Sequence, residues 1–312
     1  MLLLSIFLLN VLNILYAIDS SKTVDEAVVK RVQITNAPYF AALPGVCDAA
    51  IISDSWLVTA AHCIESMVGN LVWVGGDSVK TSKLYTINDV IVHPEYSTVS
   101  KLHLPINDIA LLHLSRPLPF SDTVQPVTLP EMKYQLNAVH TSVGKGRDQT
   151  GKLAQYLMSM NVRTLDMEEC LSYVPLLRQM ITKPHLEHIK EVTVCAKRTE
   201  NIPGLCYSDS GSPLVRNQTL VGIASYISDD NCLTAKLGMF ANVAAYVEWI
   251  YSITGVGKQE TTFVIPTTTV RGPKPTSTDR RTKRAVTKLT TTKPTTMKPK
   301  TTKPPVKSCQ GK

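Results

Sequence analysis

Three short strings hold residue types that fit acyl transfer. They are Leu57-Val58-Thr59-Ala60-Ala61-His62-Cys63, Asn107-Asp108-Ile109-Ala110-Leu111-Leu112 and Cys206-Tyr207-Ser208-Asp209-Ser210-Gly211-Ser212-Pro213-Leu214. A serine hydroxyl is a weak nucleophile until a base takes its proton, and a histidine titrates in the range this requires. A carboxylate beside the imidazole then fixes its tautomer and offsets the charge it gains. Taken singly, each string has a bland explanation. A histidine next to a cysteine is commonly structural, Asp108 could punctuate a strand, and Ser210 could belong to a turn. In the order His62, Asp108, Ser210, with separations of 46 and 102 residues, they point together to nucleophilic catalysis.

Residues so far apart need a scaffold, and the sequence describes one. Short β-rich runs dominate, among them Ala49-Ala50-Ile51-Ile52, Leu71-Val72-Trp73-Val74, Val90-Ile91-Val92 and Leu220-Val221-Gly222-Ile223-Ala224. Turn formers separate them, as in Ser53-Asp54-Ser55, Gly75-Gly76-Asp77 and Gly144-Lys145-Gly146. Many short strands with few helical periods predict an all-β barrel or sandwich. The clearest helix is predicted over Val243–Ile253, where Val243, Tyr246, Val247 and Ile250 share a face and Gly255 supplies the stop.

The ends differ from this middle. Residues 1–17 form an apolar run closing on a small residue, which reads as a secretory signal peptide; it is short for a membrane anchor of about 20 residues. Residues 18–31 are polar and close in Lys30-Arg31, a candidate propeptide. From Lys258 the chain turns Thr-, Pro- and Lys-rich, a composition that cannot bury enough apolar surface to offset its ordering entropy. Residues 258–312 are therefore expected to be a disordered tail, open to O-glycosylation, with a basic Arg281-Thr282-Lys283-Arg284 stretch that is either a convertase site or a solvated linker. The formal charge of +8 belongs to this tail. It holds 14 of the 33 Lys and Arg but only Glu260 and Asp279 of the 25 acids, leaving 19 basic against 23 acidic residues elsewhere. A nucleic-acid partner thus loses its main support.

The seven cysteines are Cys47, Cys63, Cys170, Cys195, Cys206, Cys232 and Cys309. Six in the globular part suggest three disulfides in an oxidising compartment, with 15 pairings open. No His/Cys cluster has zinc-ligand spacing, so neither a metal nor another cofactor is expected. Asn217-Gln218-Thr219 is an N-glycosylation acceptor in a predicted hairpin. His93, His103, His113, His140, His185 and His188 lack partner motifs and read as ordinary surface or core residues.

From about Val32 to Thr254 the chain resembles the trypsin/chymotrypsin family of serine endopeptidases. Thr59-Ala60-Ala61-His62-Cys63, Asn107-Asp108-Ile109-Ala110-Leu111 and Asp209-Ser210-Gly211 match its three motifs in family order. The resemblance implies two six-stranded antiparallel Greek-key barrels with the site between them and a C-terminal helix, over 32–257. It implies His62 as base, Asp108 as its orienter and Ser210 as nucleophile. It also implies an oxyanion hole from the backbone N–H groups of Ser208 and Ser210. The disulfides implied are Cys47–Cys63, Cys170–Cys195 and Cys206–Cys232, with Cys309 left over. Expected partners are protein or peptide substrates and protease inhibitors, and the expected location is extracellular, without a membrane anchor.

Several positions depart from the family pattern. Its serine motif reads Gly-Asp-Ser-Gly-Gly-Pro, whereas Ser208 and Ser212 replace the first and last glycines here. A side chain at Ser208 can turn its peptide away from the oxyanion, so an active but slowed enzyme is expected. Zymogens of the family are cut after a basic residue, and the new terminus pairs with the aspartate before the nucleophile. Arg31-Val32 and Asp209 fit those roles, but Gln33-Ile34-Thr35 replaces the usual glycines and the stretch to Tyr39 is short. At the pocket base stands Gly204 beside Leu205, with walls from Ser225, Tyr226, Ile227 and Gly238. A Lys or Arg bound there would leave its charge uncompensated, which predicts chymotrypsin- or elastase-like specificity. This pocket is similar to that of some invertebrate chymotrypsins. The competing expectation is a catalytically impaired homologue that uses the fold to bind proteins. A third is that the tail itself anchors the domain to glycans or matrix.

Overall fold

The computed structural model describes residues 30–44, 47–99, 104–131, 133–146, 152, 154–199, 210–228, 235 and 237–257. Outside these lie the expected signal peptide and tail, Cys309, and Gly204, Leu205, Cys206, Ser208, Asp209 and Cys232. The Cys206–Cys232 pairing therefore falls outside the described residues.

In chain order the first half holds β1 (Lys30–Arg31), β2 (Phe40–Leu43), β3 (Cys47–Ile51), β4 (Trp56–Thr59), β5 (Leu71–Val74), β6 (Lys83–Val92), β7 (Ser97–Val99), β8 (Leu104–Ile106) and β9 (Ala110–Leu114). The second half holds β10 (Val139–Gly144), β11 (Met158–Leu165), β12 (Thr193–Arg198), β13 (Pro213–Arg216), β14 (Thr219–Ile227) and β15 (Leu237–Asn242). The helices are α1 (His62–Ser66), α2 (Met167–Ser172), α3 (Pro175–Met180), α4 (Lys183–Val192) and α5 (Val243–Thr254).

Strands β2-β3-β4-β9-β6-β5 close into a six-stranded antiparallel barrel. Phe40, Ile51, Leu57, Leu111 and Leu112 on its strands are all almost fully buried, packed on one or the other face of the barrel wall. Each such side chain contributes about 1.5–3 kcal/mol relative to exposure. In the second half the order is β11-β10-β13-β14-β15-β12, and pairing of β11 with β12 closes that ring as well. Closure removes the edges that an open sheet would offer to other chains. Strand β1 adds to the outside of β11, with Lys30 opposite Ser159 and Arg31 opposite Met158. The expected architecture of two six-stranded barrels is thus present.

Strand β5 alternates half-buried and buried residues, the period-2 signature of a one-sided sheet. Strand β3 is buried at all five positions, because one of its faces lines the barrel while Cys47 bridges in parallel to Ser210 of the second half. The expected final helix is α5. Val243, Tyr246 and Ile250 are buried, and Gly255, at φ 73°, takes the left-handed C-cap and donates its N–H to Tyr251 O. The strand-rich reading did not anticipate α2–α4. A cap signal was there to find: Asp166 accepts the backbone N–H of Glu169 at 2.7 Å, and Pro184 lies in the first turn of α4.

Candidate active site

Strand β4 ends at Thr59 and α1 begins at His62, so the imidazole projects where the chain turns. Asp108 meets it twice. Oδ2 accepts from His62 Nδ1 at 2.7 Å, and Oδ1 accepts from the His62 backbone N–H at 2.9 Å. The carboxylate thereby supplies the cap that Ala61 cannot, and orients the ring with the same group. Asp108 is 2% exposed, so these bonds are shielded from solvent competition.

Asp108 is held from two further sides. Its neighbour Asn107 sits at φ 51°, a left-handed conformation that asparagine tolerates. The Asn107 amide donates to Glu95 O at 3.0 Å and its carbonyl accepts from the Tyr246 hydroxyl at 3.1 Å, tying the loop to α5. Burial and nearby carboxylates push the Tyr246 hydroxyl well above the ordinary tyrosine range, which keeps it a donor. Ser225 Oγ donates to Asp108 Oδ2 at 2.6 Å. The β14–β15 register shifts between Ala224 and Tyr226, placing Ser225 at the irregularity. Sequence reasoning placed Ser225 on the pocket wall and missed this bond, since no local string announces a bulge.

Ser210 stands just before β13, and its carbonyl accepts from Asp48 N–H at 2.8 Å. Its bridge partner Cys47 forms the disulfide with Cys63, the residue after His62, at a Cα–Cα distance of 6.0 Å. One covalent link therefore ties the strand beside Ser210 to the helix that carries His62. Gly211 has φ +81°, and a Cβ there would lie 2.1 Å from Asp48 O and 2.5 Å from Thr59 Oγ1. Only glycine fits this close approach of the two halves. The second disulfide, Cys170–Cys195, joins α2 to β12 away from these residues.

Ile227 and Gly238 are direct partners across β14 and β15, so these two expected pocket residues are neighbours. Asn217 and Gln218, at φ 50° and 63°, form the two-residue turn between β13 and β14, which places the acceptor asparagine at an exposed hairpin tip. Arg31 is built into the sheet edge: its guanidinium pairs with Asp77 at 3.1 Å and lies 3.5 Å over the Tyr156 ring. The Val32 N–H donates to Leu157 O at 2.9 Å. Cys47, His62 and Cys63 bring three potential ligand atoms within 4.8 Å, but both sulfurs are in the disulfide and neither is a thiolate.

His140, one of the histidines expected to be ordinary, is deeply buried. It is 2% exposed, its Nδ1 meets Ala138 O at 2.9 Å, and its Nε2 has no partner among the described residues. Burial, with Arg216 adding to it, lowers its pKa below the ordinary histidine value. No helix among the described residues is long and apolar enough to cross a membrane.

Comparison with known proteins agrees with this geometry. The trypsin family model matches residues 28–250, a span that begins upstream of the Arg31–Val32 bond. Trypsin 5G1 of Aedes aegypti is 29% identical over 239 residues, covering 72% of this chain and 84% of its own length. The ovochymase of Halocynthia roretzi is 30% identical over 230 residues, 67% of this chain but 13% of that larger protein. Among solved structures, the mouse brain serine protease neuropsin superposes with a TM-score of 0.61 at 25% identity, covering 72% of this chain and 97% of that one. The chain belongs to the trypsin family of serine proteases.

Proposed function

We propose that the protein is a secreted serine endopeptidase that cleaves peptide bonds through an acyl-enzyme on Ser210. The observation that carries this reading is the doubly bonded His62–Asp108 pair, tied through Cys63–Cys47 to the strand that bridges Ser210. In the first step His62 Nε2 accepts the Ser210 hydroxyl proton while Oγ attacks the substrate carbonyl carbon. Asp108 stabilises the imidazolium that forms, and the same proton then passes to the leaving amine. Water repeats the sequence to release the acyl group. The N–H groups of Ser208 and Ser210 would hold the developing oxyanion, each such donor being worth roughly 2.7–4 kcal/mol in the transition state.

The pocket of Gly204, Ser225, Ile227 and Gly238 supports aromatic or medium aliphatic specificity, since none of these residues brings a carboxylate. Arg31–Val32 is the candidate processing bond, with Asp209 to receive the new terminus. Cutting there would require Val32 to leave its bond to Leu157. Amino-terminal sequencing of the processed, active protein should read Val32, and an active chain that starts at another residue would refute that junction. Asn217 is the candidate glycan site. A peptide-library cleavage profile tests the whole reading. It should show preference for Phe, Tyr or Leu before the scissile bond, and a Lys or Arg preference would overturn the pocket assignment. Absence of any Ser210-dependent cleavage would favour the binding-module reading instead.

A further inference from the structure

We infer that Asp48 is a positioning residue that fastens the nucleophile turn of the second barrel to the first, an inference that rests on the serine-protease reading above. Asp48 is the second residue of the buried strand β3, between Cys47 and Ala49, and is itself 2% exposed. A carboxylate is costly in such a place unless hydrogen bonds satisfy it. Its Oδ2 accepts from the Ser212 hydroxyl at 2.9 Å and from the Lys145 backbone N–H at 3.0 Å. Ser212 is fully buried.

The backbone of Asp48 engages the same turn. Its N–H donates to Ser210 O at 2.8 Å, and its carbonyl accepts from Thr59 Oγ1 at 2.7 Å while closing over Gly211. One residue thus contacts Ser210, Gly211 and Ser212 in succession, across 164 positions of sequence at its side-chain contact with Ser212. Through Lys145 it also pins the loop that leaves β10.

This arrangement accounts for Ser212, which replaces a glycine of the family motif. Its hydroxyl would be an orphaned buried donor without Asp48, and Asp48 would lose a side-chain donor without it. The pair turns two tolerated backbone contacts into a directional clamp two residues from the nucleophile. Small displacements of a reacting atom are expensive, since a 1 Å misplacement can cost about a hundredfold in rate. The clamp therefore acts on the chemical step, through Ser210, and hardly on substrate binding.

The test is steady-state kinetics on a phenylalanyl peptide amide, with fluorophosphonate labelling and thermal melting of the parent and each variant after processing at Arg31–Val32. Ser212→Ala and Asp48→Ala are expected to lower kcat about 10- to 100-fold with KM within about twofold. Asp48→Asn, whose amide oxygen can accept from both donors, should recover kcat to within a few-fold of the parent. The double variant Asp48→Ala/Ser212→Ala, which removes both members, should lose less than the product of the two single losses. If Asp48→Ala does not fold, Ser212→Ala and Asp48→Asn still decide. Lower melting temperatures with kcat unchanged would overturn the positioning role and leave a structural pair. Absence of labelling in the parent protein would instead remove the serine-protease reading itself, and the inference with it.

Discussion

His62 and Asp108 are bound directly to each other, Ser225 adds a bond to the same carboxylate, and the neighbouring Asn107 ties the loop to Glu95 and to Tyr246 of α5, five hydrogen bonds around one carboxylate and its neighbour. Ser210 in the second barrel is placed differently: its carbonyl hangs from Asp48 of the first barrel and the next residue donates to Ala224. The base is positioned by a network of side chains, the nucleophile by backbone contacts and a clamp from the opposite half. Such a site should fail in two distinguishable ways. Damage to the first barrel removes the chemistry, whereas damage to the seam misplaces it.

The largest effect tests the chemistry. Replacing Ser210 or His62 with Ala should lower kcat on a peptide amide by about 10⁴-fold or more, with little change in melting temperature. Asp108→Asn should cost about as much, as in other serine-protease triads, because it favours the wrong imidazole tautomer. A modest loss from any of the three would break the assignment of roles.

Disulfide removal sharpens the comparison. Either pair replaced by Ala should lose about 2–5 kcal/mol of unfolding free energy in urea titrations. Only loss of Cys47–Cys63 should also depress kcat, because that bridge joins the His62 helix to the strand beside Ser210. Equal kinetic damage from removing Cys170–Cys195 would contradict the seam account. Gly211→Ala comes next. Its left-handed backbone and the close Asp48 carbonyl should cost on the order of 1–3 kcal/mol in backbone strain alone, read by the same titration.

The smallest effect concerns pH. His140 is held neutral in the folded chain by burial, with its pKa lowered, so the unfolded chain binds more protons below about pH 6.5. Its stabilising influence is full above that value and is lost as pH falls toward the lowered folded pKa. Melting temperature should drop by a few degrees between pH 7 and 5, about 2–4 °C for each kcal/mol lost. The drop should shrink in His140→Phe, and an unchanged slope would assign it to other groups.

The sequence announced residues whose meaning is local. His62, Asp108 and Ser210 each lie in a short string with its own chemistry, and Gly255 marks the end of α5 in the way helix caps do. Asp48 carried no such sign. An aspartate after a cysteine looks like a surface residue until Ser212, far along the chain, arrives beside it. Ser225 was hidden for a related reason, since a register shift, not composition, turns its hydroxyl toward Asp108. Helices α2–α4 were missed although Asp166 caps α2 and Pro184 lies in the first turn of α4, because each helix is short and set among strand-rich runs.

The most direct measurement of the central claim is the site of covalent modification by a fluorophosphonate. The protein isolated from the secretory route, before and after limited proteolysis, is treated with the reagent, digested and examined by mass spectrometry. The account predicts a single adduct on Ser210 that fails to form at a comparable rate in His62→Ala. A folded, processed protein with no adduct, or with the adduct on another serine, would contradict it.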